Sequence, residues 1–172
     1  MKALTNVLTA VLEFCENKAD TFGFEGFDAK AAQGKWSKKE IIGHLVDSAY
    51  NNHRRYLLAP DMEAYFFEGY NQNQWVIRNG YQQKDAKDLF RFLIAINRHF
   101  LELLEGMSFD LLTQKTPKHN FHVVGMLPVM EGESKSLSYF FYDYLYHMEH
   151  HLKQIFLDYQ VKLNPINSYK CI

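Results

Sequence analysis

Apolar residues recur at a period near 3.6 along four stretches of the chain, the spacing that places them on one face of a helix. In the first, roughly residues 2–18, Leu4, Val7, Leu8, Val11 and Leu12 make that face. The second, about 38–58, carries Ile41, Ile42, Leu45, Val46, Ala49 and Tyr56, with Pro60 just past its end. It opens on Ser37 and Glu40, the S-x-x-E spacing of a capping box, in which two side chains satisfy backbone N–H groups left open at a helix start. The third, about 84–105, repeats the pattern through Ala86, Leu89, Phe90, Leu93, Ile96, Phe100, Leu103 and Leu104, with Gly106 as a natural stop. The fourth, about 136–162, has Leu137, Phe141, Tyr144, Met148, Leu152, Ile155 and Tyr159 on its buried face, and Pro165 limits continuation. No stretch sustains strand alternation, so the pattern predicts an all-α, four-helix bundle. Two connectors are too long for up-down-up-down wiring with short loops throughout. One is AYFFEGYNQNQWVIRNGY, with room for a short helix, and the other spans roughly 107–135 and contains Pro117, Gly125, Pro128 and Gly132.

At 172 residues the chain fits a single domain, 1–172. With 19 Lys+Arg against 20 Asp+Glu, it lacks the basic excess that general nucleic-acid binding needs. A 47% hydrophobic content excludes disorder as the main state. No run approaches the ~20 apolar residues of a membrane span. The apolar N-terminal run is broken by Asn6 and Glu13 and reads as an amphipathic helix rather than a signal peptide. Cys15 and Cys171 could pair, but nothing requires it, and a cytoplasmic location is expected. Aromatics are abundant, with 14 Phe, 11 Tyr and 2 Trp, and there are 8 His.

The histidines carry the candidate chemistry. His147 and His151 are four apart in YHMEHHLKQI, so they stand on one helical face a turn apart, within reach of one metal ion. A third ligand must come from another helix, and GHLVDSAYNNHRR offers His44. On spacing alone such a pair is more often surface or core than ligand. His44 shares a polar stripe with Asp47, Ser48, Asn51 and Arg55, which suggests the wall of a cavity. Asp143, His147, Gln154 and Asp158 form a matching flank on the fourth helix. Asp143 is expected either to accept an imidazole N–H and fix its tautomer or to be a solvated charge near the helix start. His150 reads as a neighbour of the pair rather than a ligand. His119 and His122 could be a second pair or a substrate contact, but read as loop residues. HExxH fails because Met148 follows His147, no E-x-x-H occurs, and no GxSxG, P-loop or GxGxxG is present.

Three segments, in order, match a known family: KWSKKEIIGHLVDSAYNNHRRYLLA, then YNQNQWV, then the H-x-x-H-H-L-x-Q-I run of the fourth helix. Together they resemble the DinB-like superfamily, particularly the branch with bacillithiol S-transferases and proteins described as metal-dependent hydrolases. The resemblance spans nearly the whole chain and implies a DinB-like four-helix bundle with long connectors. It implies a divalent metal, zinc or nickel, held by His44, His147 and His151, and a homodimer acting on a small-molecule substrate. In thiol-transferring relatives a low-molecular-weight thiol such as bacillithiol is held as thiolate and offered to an electrophile. The same site could instead lower the pKa of bound water for hydrolysis. A third reading is a non-enzymatic metal- or ligand-binding bundle. For hydrolysis Asp47 is the nearest candidate base, about 60° from His44 around the helix. Trp36 reads mainly as core. Asn73 and Trp75 resemble residues near the pocket mouth. Tyr65, Phe66, Phe67, Tyr70, Trp75 and Tyr81 are the aromatic cluster in which a substrate is expected.

Overall fold

The computed structural model describes residues 1–166. Seven α-helices form in the order α1 (Lys2–Thr21), α2 (Lys38–Leu58), α3 (Gln72–Asn79), α4 (Ala86–Gly106), α5 (Phe109–Thr113), α6 (Phe121–Val124) and α7 (Leu137–Ile155). The long helices α1, α2, α4 and α7 make a four-helix bundle. The helix starts are set locally, that of α2 as the sequence predicts. Ser37 and Glu40 form the capping box of α2, and Asp85 and Ser136 cap α4 and α7. Among the described residues, no helix is long and apolar enough to cross a membrane.

Both α1 and α2 pack against α4 and α7, so the order around the bundle is α1, α4, α2, α7. Helices adjacent in sequence are therefore diagonal in space twice, from α1 to α2 and from α4 to α7. That wiring accounts for the long segments 22–37 and 107–136, which must cross the bundle ends. The first crossing buries Phe27 beside Phe156 and packs Phe24 edge-on to Phe27 and tilted against Phe90. The second buries Phe121 against Phe140, with ring centroids 4.5 Å apart. Much of the aromatic excess is spent here, on bundle ends that aliphatic stripes leave open.

The fourth helix is shorter than its periodicity predicts. It ends at Ile155, not near 162, and Phe156 is extended. Glu149 explains the ending. It is buried on the side of α7 away from the histidines, and accepts the Tyr159 hydroxyl (2.5 Å) and the backbone N–H groups of Lys162 (2.6 Å) and Leu163 (3.1 Å). The chain turns back onto this carboxylate instead of continuing. Tyr159 stays buried, but by a route that a helical wheel does not describe. Asp158 therefore leaves the flank it was expected to share with His147, and pairs with Lys18 at 2.5 Å. Cys15 is buried and its thiol is pushed up to about 12, first by burial and then by Glu16. Cys171, its suggested partner, lies outside the described residues.

Candidate metal centre

Packing α2 against α7 brings His44, His147 and His151 together, with one ring nitrogen from each within 4.8 Å of the others. His44 Nε2 and His147 Nε2 are 2.9 Å apart. Trp36 is half-buried and packs against the core, and its ring lies against His44 with centroids 4.8 Å apart. Burial pushes the His44 imidazole down to about 3, and His151 nearby adds to this. Burial also drives His147 well below its usual value, and His151 lower, with neighbouring imidazoles reinforcing both shifts. Neutral imidazole is the ligating form, so the donor set fits a divalent ion. The buried Nδ1 of His44 has no hydrogen-bond partner.

The tautomer-fixing role expected of Asp143 falls to another residue. Asp143 is buried and its Oδ1 accepts the backbone N–H groups of Met126 (2.8 Å) and Leu127 (2.5 Å). It pins the 125–127 segment beside the site and is neither a solvated charge nor a partner of His147. Gln154 Oε1 instead lies 3.0 Å from His151 Nδ1, and Gln154 Nε2 lies 3.0 Å from His150 Nε2. A proton on His151 Nδ1 leaves Nε2 free to ligate. The glutamine at the end of the H-x-x-H-H-L-x-Q-I run was the sequence signal for this contact.

A cavity of about 370 Å³ adjoins the triad. Its wall includes His147, His151, Ser48, Asn52, Arg55 and Asp143, with Tyr70 at one side. Ser48 and Arg55 come from the predicted polar stripe of α2, whereas Asn52 takes the place expected for Asn51. The aromatic connector divides. Tyr65 and Phe67 are buried beside Phe121. Phe66 is exposed. Tyr70 faces the cavity, and its ring packs on Trp75 at 4.6 Å. Asn73 lines a separate open groove with Trp36 and Gln154. His119 is buried on Phe121, with Nε2 at 2.8 Å from the Glu133 carbonyl, and His122 is exposed, so the two do not converge.

Asp47 is buried on another side of α2. Its Oδ1 accepts the Tyr81 hydroxyl at 2.6 Å and the Asn79 amide at 2.9 Å, while Oδ2 has no partner. Burial raises its carboxyl to about 6, against the opposing pull of those two hydrogen bonds. It does not line the cavity that holds His147 and His151. Tyr81 lies flat over Gly43, the residue without a side chain one turn before Asp47.

No curated protein matches the chain. Among solved structures, the fold is similar to that of YfiT from Bacillus subtilis, with a TM-score of 0.68 and 18% identity over 88% of this chain and 81% of that one. That protein is described as "a probable metal-dependent hydrolase with an unusual four-helix bundle topology". The sequence profile of the DinB superfamily matches residues 19–155, a span that contains all three histidines of the cluster, and the chain belongs to that superfamily.

Proposed function

We propose that the protein is a metal-dependent enzyme that joins a low-molecular-weight thiol, such as bacillithiol, to small electrophiles. His44, His147 and His151 are its metal ligands, with zinc or nickel as the ion. When bound, such an ion favours the thiolate over the thiol near neutral pH. The observation that carries the reading is the state of the two nearby carboxylates. Asp143 holds two backbone N–H groups through Oδ1, and Asp47 holds Tyr81 and Asn79 through Oδ1 on a side of α2 away from the cavity. Hydrolysis needs a group that takes a proton from water, whereas a thiolate is already a good nucleophile. In the transfer the thiol proton is released, a C–S bond forms, and the leaving group departs from the electrophile as an anion. The chain's part is to hold the three imidazoles neutral, fix His151 through Gln154, and enclose the reactants between α2 and α7.

A metal-dependent hydrolase is the second reading, favoured by the description of YfiT. Elemental analysis of wild type against His151→Ala tests the site, with loss of about one equivalent of metal expected. Metal in neither protein would refute it. Metal-loaded protein with bacillithiol and monochlorobimane tests the reaction. A rate no higher than the uncatalysed one across several thiols sinks the transferase. A His147-dependent rate on an ester, amide or phosphoester panel would favour the hydrolase instead.

A further inference from the structure

The cavity wall beyond the histidines carries more charge than a bundle interior needs. Arg55 is 7% exposed and lines the cavity. Its guanidinium sits over the rings of Phe67 (5.6 Å) and Phe140 (5.5 Å), and Nη2 donates to the Glu68 carbonyl at 2.8 Å. Among the described residues it has no carboxylate within ion-pair distance. Asp143, also in the cavity wall, contributes only a longer-range attraction. A guanidinium offers five N–H donors in a planar fork, and a buried one with a single protein hydrogen bond has capacity to spare. Asn52, 6% exposed, donates through Nδ2 to the Ser48 carbonyl at 2.9 Å, and its Oδ1 is buried with no partner.

The wall therefore presents one buried cation and one buried carboxylate. A simple carboxylate would answer Arg55 but would face Asp143. A simple amine would leave Arg55 unanswered. From this juxtaposition we propose that the cavity binds an amino-carboxylate head group. Its carboxylate lies on Arg55, and its ammonium lies toward Asp143. The substrate's sulfur end then points to the triad, since Asp143 stands one helical turn, about 6 Å, from His147. This deepens the thiol reading and rests on it for taking the cavity as the substrate's place. Within it, the preferred thiol carries a free amine and a carboxylate near its sulfur, as cysteine does, and bacillithiol, whose cysteine carboxyl is amide-linked, should be the weaker binder of the two.

The test is isothermal titration of the full-length protein with S-methyl-L-cysteine, whose capped sulfur cannot become a thiolate. Saturable binding is expected. 3-(Methylthio)propanoate lacks the ammonium and 2-(methylthio)ethylamine lacks the carboxylate, and each should bind at least about tenfold more weakly. Arg55→Gln should weaken S-methyl-L-cysteine by a similar factor and abolish its advantage over the amine. No binding of S-methyl-L-cysteine, or binding no tighter than either analogue, overturns the proposal. The wild-type comparison decides even if Arg55→Gln fails to fold. If the preference holds while no thiol is transferred to monochlorobimane, the head-group site stands and the transferase reading falls. If thiol is transferred without the preference, the transferase reading stands and the head-group site falls.

Discussion

Gly43 sits inside α2, one residue before His44, where helix propensity alone would favour alanine by about 1 kcal/mol. The packing reverses that sign. A Cβ added at 43 would overlap Cγ and Cδ2 of the Tyr81 ring, so the ring must leave. Its departure breaks the 2.6 Å bond from the Tyr81 hydroxyl to Asp47, a hydrogen bond to a charged group worth ~1.5–3 kcal/mol. It also returns part of a buried aromatic ring to water, about 1 kcal/mol if half the burial is lost. After subtracting the propensity gain, Gly43→Ala should cost ~1.5–3 kcal/mol. For a chain of this length that lowers Tm by roughly 3–12 °C, readable by calorimetry or circular dichroism. The decisive comparison is the same change in a Tyr81→Ala background, where the obstacle is gone and Gly43→Ala should be neutral or stabilising. An unchanged or higher Tm in the single variant, or equal losses in both backgrounds, would refute the reasoning.

Three other outcomes follow from the same contacts. Gln154→Ala frees the His151 ring and should weaken metal binding by about 10–100-fold, measured by competition with a chelator, with little change in fold. Asp47 is buried with its carboxyl raised from 3.8 to about 6, so its contribution to stability is full below pH 4 and is lost as pH rises from 4 to 6. Asp47→Asn does not titrate, so its stability relative to wild type should improve across that window and level off above pH 6; urea midpoints that keep a constant difference would contradict this. Glu149→Ala strips three donors of their acceptor and should cost at least ~2 kcal/mol. Faster proteolysis after residue 156 is the expected signature, and an undisturbed cleavage pattern counts against it.

What the sequence made legible was the set of faces that each helix buries against its neighbours. The stripes through Leu4–Leu12, Ile41–Tyr56 and Leu89–Leu104 are the buried faces of α1, α2 and α4, because amphipathic period reports burial directly. The end of α7 was not legible. Leu152, Ile155 and Tyr159 keep helical spacing, and nothing local says that Tyr159 reaches its buried place by a turn onto Glu149. Asp143 failed for a similar reason. Its offset of four from His147 is a local fact, whereas its hydrogen bonds go to Met126 and Leu127, at the end of a long connector whose path no period encodes. Likewise Tyr65 and Phe67 join the core because residues 65–67 hydrogen-bond to 118–120, a long-range pairing with no signature in either segment. Spacing put His147 and His151 on one face, the polar stripe of the second helix offered His44, and the family resemblance joined the three. The meeting of His44 with the other two depends on α2 and α7 being neighbours.

The energetics of α2 separate a site from a scaffold. A bundle selected for stability alone would put apolar side chains at 44, 47, 48, 52 and 55, all of which are buried. The helix instead buries His44, Asp47, Ser48, Asn52 and Arg55 there. It also carries three buried side-chain atoms without a partner, His44 Nδ1, Asp47 Oδ2 and Asn52 Oδ1. Each unmet group costs about 1–3 kcal/mol, a large share of a domain's net stability. Buried polar residues on other elements are paired instead, as Asn97 is with Tyr144 and Glu149 is with the C-terminal segment. Local rules broken on one helix and kept elsewhere are what a functional constraint produces. The 2.9 Å approach of His44 Nε2 to His147 Nε2 sharpens the point, because two lone pairs repel at that distance unless a proton or a cation lies between them. With both imidazoles neutral, that approach costs one of them its other tautomer, whereas a shared cation would use both lone pairs at once.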